Sequence, residues 1–168
     1  AVAYHFASEL QSRLKVPVGL IESSWGGTRI EPWTPPEGFA AVPALAQLSA
    51  RVQLGLPSSP EHRHALQKAI DDYEAWRQGA RAALQAGAPP PPPVALPTAL
   101  WTASGRQDPT ALYNAMIHPL IPFSIRGAIW YQGESNASEG ALYTEKMKAL
   151  VGGWRQLWKQ GDFPVLYV

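Results

Sequence analysis

At 168 residues, with 46% hydrophobic and 16% charged side chains, the chain has the length and composition of one globular domain with a real core. Its formal net charge of +1, with no basic cluster, removes the electrostatic basis for binding nucleic acid or an anionic membrane and points to a small ligand, neutral or singly charged. Cysteine is absent, which excludes disulfides, thiolate catalysis and cysteine-based zinc sites. His5, His62, His64 and His118 have no metal-ligand spacing, so no metal is expected. No apolar run approaches the ~18 residues of a membrane span. The first residues, AVAYHFASELQSRL, lack the basic and apolar regions of a signal peptide. A start on a helical pattern and a stop on a strand, FPVLYV, read as a segment excised from a longer chain.

Val2, Phe6, Leu10 and Leu14 recur every four residues and predict an amphipathic helix with one buried stripe. VPVGLI, residues 16–21, then predicts a short buried strand. It leads into Glu22, Ser23, Ser24, Trp25, Gly26, Gly27, Thr28 and Arg29, a loop in which paired glycines permit positive φ and close backbone approach to a ligand. A simple turn explains the same Gly-Gly pair. Residues 35–100 have a different character and read as a helical insertion. Val42, Leu45, Leu48 and Val52 have helical spacing up to Gly55, and Ser59-Pro60 supplies an N-cap and a first-position proline for a longer helix. Leu66, Ile70, Tyr73, Trp76, Ala80 and Leu84 form its apolar face, with Gly87 as the stop. Ala88–Pro97, APPPPPVALP, predicts a stiff polyproline II connector. His62 and His64 fit solvated or capping positions near the second helix start.

LYNAMIHPLIPF, residues 112–123, predicts a short helical turn stopped by Pro119 and Pro122, with His118 as a hydrogen-bonded structural residue. The apolar run Ala128–Tyr131 predicts a strand, followed at once by Gln132, Gly133, Glu134, Ser135 and Asn136. A helix comes next, with Tyr143, Met147, Leu150, Trp154, Leu157 and Trp158 on one face and a kink expected at Gly152-Gly153. Phe163–Val168 predicts a third buried strand. Three continuously apolar strands separated by helices predict an α/β fold with a parallel sheet covered on both faces.

In such folds ligands sit beyond the carboxyl ends of the strands, where both polar loops fall. Gly133-Glu134-Ser135-Asn136-Ala137 fits a relaxed nucleophile elbow with Ser135 as nucleophile, but that order requires a histidine downstream and none follows. The other reading makes the loop an oxyanion element. Acyl transfer develops charge on a carbonyl oxygen, and each preorganised donor aimed at it contributes about 3 to 4 kcal/mol. Gly27 N–H and the amide of Gln132 or Asn136 are the candidate donors.

GLIESSWGGTRIEPW, LYNAMIHPL, IRGAIWYQGESNA and WRQLWKQGDFPVLYV resemble, in order and spacing, the sialate O-acetylesterase family, a carbohydrate-esterase branch of the SGNH hydrolases. The resemblance implies a three-layer α/β/α sandwich, here incomplete, forming a single esterase domain over residues 1–168 with the 35–100 helical-hairpin insertion inside it. It implies hydrolysis of O-acetyl esters on carbohydrates by a serine nucleophile, without a cofactor, in a periplasmic or extracellular protein. Gly27 resembles the family's oxyanion glycine, with Gly26 beside it. Gln132, Gly133, Glu134 and Asn136 match its third block, implying oxyanion donation by Gln132 or Asn136 and an orienting acid at Glu134. Trp25, Gly26, Arg29, Tyr113 and Asn114 are the implied substrate-binding residues, Arg29 facing a substrate carboxylate. The family's GQSN nucleophile motif and its D-x-x-H base motif are both missing from these residues, so nucleophile and base are expected outside them. A carbohydrate-binding domain that has lost catalysis is the alternative from a different functional class.

Overall fold

The structure, a computed structural model, describes residues 2–95, 97, 100 and 105–168. Helix α1 (Val2–Leu14) forms where the four-residue spacing predicts it, yet of its residues only Ala7 is buried. Val2, Tyr4, Phe6 and Leu14 stay exposed, so the periodicity placed the helix correctly but not the burial of its stripe. The strand expected over residues 16–21 is not present: the segment is irregular, and Val16, Leu20 and Ile21 are exposed. An apolar run becomes a strand only when a neighbouring strand pairs with its backbone, and this one meets none among the described residues.

The helical region from residue 35 follows the sequence closely. Helix α2 (Pro36–Ala41) precedes a 3-10 turn (Pro43–Leu45), helix α3 (Ala46–Gly55) and helix α4 (Pro60–Gln85). Ser59 caps α4, its hydroxyl oxygen accepting from His62 N at 3.0 Å. Of the solvated and capping positions expected, His62 takes the capping one. It is buried, and its Nδ1 lies 2.7 Å from the Leu54 carbonyl oxygen, joining the end of α3 to the start of α4. The predicted stripe on α4 is only partly covered: Ile70, Tyr73 and Leu84 are exposed. Trp76 Nε1 donates to Pro91 O at 3.0 Å, which folds the polyproline run back along the helix. Leu96 of the predicted connector lies outside the described residues.

Strands β1 (Ala128–Trp130) and β2 (Val165–Tyr167) pair in parallel, with Ala128 opposite Val165 and Trp130 opposite Tyr167. Helix α5 (Ala141–Trp158) connects them, as a parallel pair requires. Its inner face is the predicted one. Leu150, Trp154 and Trp158 join Ile30, Trp33, Leu112, Tyr113, Ile117, Trp130 and Phe163 in the main core. Edge-to-face indole contacts run through this core, Trp33 on Trp130 and Trp130 on Trp154, with ring centroids 6.2 and 5.9 Å apart.

Helix α5 is continuous through Gly152-Gly153, where the sequence suggests a kink. Gly153 serves close approach. A Cβ there would lie 2.5 Å from Pro35 Cγ, and one on Gly38 would lie 2.2 Å from the Ala149 carbonyl oxygen. Helix α2 is thereby seated directly on the backbone of α5. The described fold is mostly helical, with a β–α–β unit and a two-stranded parallel sheet. No described helix is long and apolar enough to cross a membrane.

Candidate active site

The two polar loops meet. The chain leaves β1 at Trp130, passes through Gln132 and Gly133, and makes a 3-10 turn (Glu134–Glu139) before α5. The WGGT loop leads into a second 3-10 turn (Glu31–Trp33). Asn136 joins them and is only 1% exposed. Its Oδ1 accepts from Ile30 N at 3.0 Å and Gln132 Nε2 at 2.8 Å. Its Nδ2 donates to Glu31 Oε2 at 3.1 Å and Glu139 Oε2 at 3.0 Å. Gln132 Nε2 also donates to Thr28 O at 3.0 Å, and Tyr143 OH donates to Gln132 O and lies 3.0 Å from Gln132 Oε1. The donors of both side-chain amides are therefore engaged inside the protein. They fasten loop to loop rather than face an external oxygen.

Beneath Asn136 is a charge cluster that the sequence reading did not find. Lys146, 3% exposed, places Nζ 2.7 Å from Glu31 Oε1 and 2.6 Å from Glu139 Oε2. Arg29 pairs with Glu139, and its NH2 lies 3.2 Å from Glu31 Oε1. Two carboxylates thus face two cations and the cluster is neutral, which reduces the cost of burying it. Burial alone would raise the Glu31 carboxyl, but hydrogen bonds from Lys146 and Asn136 outweigh it and hold the group below its ordinary value. Burial also raises the Tyr143 phenol, against a lowering by the hydrogen bond with Trp130 Nε1 and with a further raising from Glu134 and Glu139.

Two signals for this cluster were legible. Glu31 interrupts the apolar stretch Ile30-Glu31-Pro32-Trp33, and Lys146 lies three residues after Tyr143 and four before Leu150, on the face of α5 that packs inward. A charge in either place needs a buried partner.

The remaining predicted residues divide. Gly27 has φ +72°, open space where a Cβ would stand, and an N–H with no protein acceptor among the described residues. Gly26 beside it is likewise open. Trp25 is half exposed, with the Arg106 guanidinium 5.9 Å above its ring. Thr28 secures the turn: its hydroxyl donates to Trp25 O at 2.8 Å and accepts from Trp33 Nε1 at 2.9 Å. Arg29 pairs through NH2 with Glu139 and Glu31 and keeps 42% of its side chain exposed, so its guanidinium is anchored to the cluster at one edge. Tyr113 is not a pocket wall but a core residue, its ring edge-on to His118, and burial with help from Glu37 pushes its phenol up to about 12. Asn114, Glu134 and Ser135 are exposed, and none has a side-chain hydrogen bond among the described residues. Two shallow hollows, one lined by Phe39, Val42 and Ala46 and the other by Ser124, Ile125 and Gln160, include no residue of either loop.

Residues 97–168 match the family of carbohydrate esterases described as sialic acid-specific acetylesterase. Over 96% of the chain, sialate O-acetylesterase from Rattus norvegicus is 34% identical and that from Homo sapiens 30% identical. The chain spans about a quarter of the length of these curated relatives, 26% of the rat protein and 22% of the human one. A crystal structure of a carbohydrate acetylesterase from Xanthomonas citri superposes with a TM-score of 0.58 at 29% identity, over 99% of this chain and 25% of that one. By sequence and by fold, the chain is similar to the sialate O-acetylesterases and other carbohydrate acetylesterases.

Proposed function

We propose that the chain is the part of a carbohydrate O-acetylesterase that binds the developing oxyanion, with the serine nucleophile and the histidine base supplied by residues outside these 168. The observation that carries this reading is the Gly27 turn: a left-handed glycine with an unengaged N–H, locked by Gln132 and Asn136 onto the loop that follows β1. In the reaction, the serine oxygen attacks the acetyl carbonyl carbon while the histidine takes its proton. The Gly27 N–H donates to the carbonyl oxygen as it becomes negative. The tetrahedral intermediate collapses, the bond to the sugar oxygen breaks, and the histidine returns the proton to that oxygen. Water then attacks the acetyl-enzyme by the same route and acetate leaves.

Gln132 and Asn136 act here by orienting the turn. Glu134, the exposed carboxylate of the loop, is the candidate to orient the base. Gly26, Trp25 and Asn114 would contact the sugar. In the complete fold this β–α–β unit belongs to a three-layer sandwich, into which residues 35–100 are inserted.

Fluorophosphonate labelling with mass-spectrometric mapping, beside p-nitrophenyl acetate hydrolysis, tests the assignment. The 168-residue chain should neither label nor turn over, while the longer protein should do both, with the label outside this segment. In the longer protein Gly27→Ala should lower kcat by about 10- to 100-fold with little change in KM, since the strained left-handed alanine displaces the donor. A label on Ser135, turnover by the 168 residues alone, or wild-type kcat in Gly27→Ala would overturn it. Sugar binding without any hydrolysis would establish the non-catalytic alternative.

A further inference from the structure

Nothing in the sequence marks Gln107, on the loop of residues 105–110, yet its side chain grips the WGGT turn from both directions. Its Nε2 donates to Gly27 O at 2.7 Å, and its Oε1 accepts from Arg29 N at 3.1 Å. Those two backbone groups flank Thr28, so the amide makes the pair of bonds that the N–H and C=O of one residue in a parallel neighbouring strand would make. The loop is itself anchored. The Asp108 carboxylate accepts from Gly105 N at 3.1 Å and pairs with Arg51 of α3 at 3.2 Å, and Thr110 N donates to Glu31 O at 3.0 Å. Thr110 holds φ +67°, a conformation that costs a β-branched residue energy and persists only where surrounding bonds impose it. Arg106, from the same loop, lies over Trp25.

We propose that Gln107 is a positioning residue for the anion-binding turn. By holding the Gly27 carbonyl and the Arg29 N–H together it fixes the rotation of the peptides on either side of Thr28, and with it the direction of the neighbouring Gly27 N–H. The turn otherwise contains two adjacent glycines and no regular secondary structure. Such a segment samples several orientations unless its backbone groups are held. Water can bond either group but cannot hold both in one geometry. The catalytic part of this inference rests on the esterase reading; the clamp itself does not.

Gln107 is exposed, so its replacement should not unfold the protein. In the longer protein, Gln107→Ala should lower kcat for p-nitrophenyl acetate by about 10-fold or more with KM within about twofold, the signature of a misdirected donor rather than a lost contact. In the 168-residue protein the Arg29 amide should exchange with solvent deuterium about 10-fold faster, with the amides of α5 unchanged. Gln107→Glu supplies a conservative variant. Its carboxylate still accepts from Arg29 but cannot donate to Gly27 O until it is protonated, so its kcat deficit should narrow as pH falls toward the carboxyl range. Unchanged kcat in Gln107→Ala, an equal loss with accelerated exchange throughout α5, or unaltered Arg29 exchange would each overturn the proposal. If the wild-type longer protein hydrolyses no acetyl ester, the esterase reading fails, and Arg29 exchange still decides whether the clamp exists.

Discussion

Replacing Lys146 by methionine keeps the buried stem and removes only the charge. Its Nζ lies 2.7 and 2.6 Å from Glu31 and Glu139, so the variant leaves two carboxylates sharing Arg29, which is itself partly exposed. Each lost contact corresponds to about 6 kcal/mol of gross attraction at an effective dielectric of about 20. Relief of the lysine's own desolvation offsets much of that, and breaking a buried pair from one side costs about 3 to 5 kcal/mol net. Against a total stability of about 5 to 15 kcal/mol, the loss is large. Urea unfolding followed by tryptophan fluorescence should show the midpoint falling with the slope unchanged.

The pH dependence supplies a second check. In the wild type the Glu31 carboxyl sits below its ordinary value of 4.5, so its contribution is present above that pH and is lost as pH falls through the lower folded value. Without Lys146, burial dominates and raises Glu31, so protonation then favours the folded state and the penalty should shrink on acidification. A penalty under about 1 kcal/mol at neutral pH, or one equal at pH 7 and pH 4, would refute the argument.

Two further outcomes follow from packing and burial. Gly38→Ala places a Cβ 2.2 Å from the Ala149 carbonyl oxygen and should destabilise by about 1 to 3 kcal/mol, whereas Gly152→Ala, with open space at that Cβ, should be neutral or stabilising; equal thermal melts for the two would contradict the close-approach reading. The Tyr113 phenol is raised from 10.0 to about 12, so its contribution is complete below pH 10 and is lost as pH rises from 10 toward 12; urea midpoints across that range should fall in the wild type and stay flatter in Tyr113→Phe.

Helix positions in this chain were legible because spacing and caps are local. Ser59-Pro60 opened α4, and the face from Tyr143 to Trp158 identified the inner side of α5. What depended on distant partners was not. Residues 16–21 have a strand composition but no strand beside them, and Gly152-Gly153 read as a weakness because the approach of α2 is invisible in one dimension. At the site, the residue types of the two loops singled out two segments that the fold brings together. The direction of the Asn136 amide was fixed by Glu31 and Glu139, 105 residues before and three residues after it. The pairing of Arg29 and the burial of Tyr113 were not legible for the same reason: both are set by residues far away in the chain.

The hydrogen bonds of Asn136 make position 136 one without synonyms. Aspartate has the same outline, but it would bring a third carboxylate to Glu31 and Glu139 and turn two donors into acceptors. Leucine also has nearly the same outline, but it would leave the Ile30 N–H and Glu31 Oε2 buried without partners and Glu139 Oε2 with Lys146 alone. Rotating the amide by half a turn, harmless at a surface asparagine, would set its NH2 against the Ile30 N–H and its oxygen against the carboxylates. Both shape and polarity are specified here, and among the residues of that shape only asparagine satisfies both.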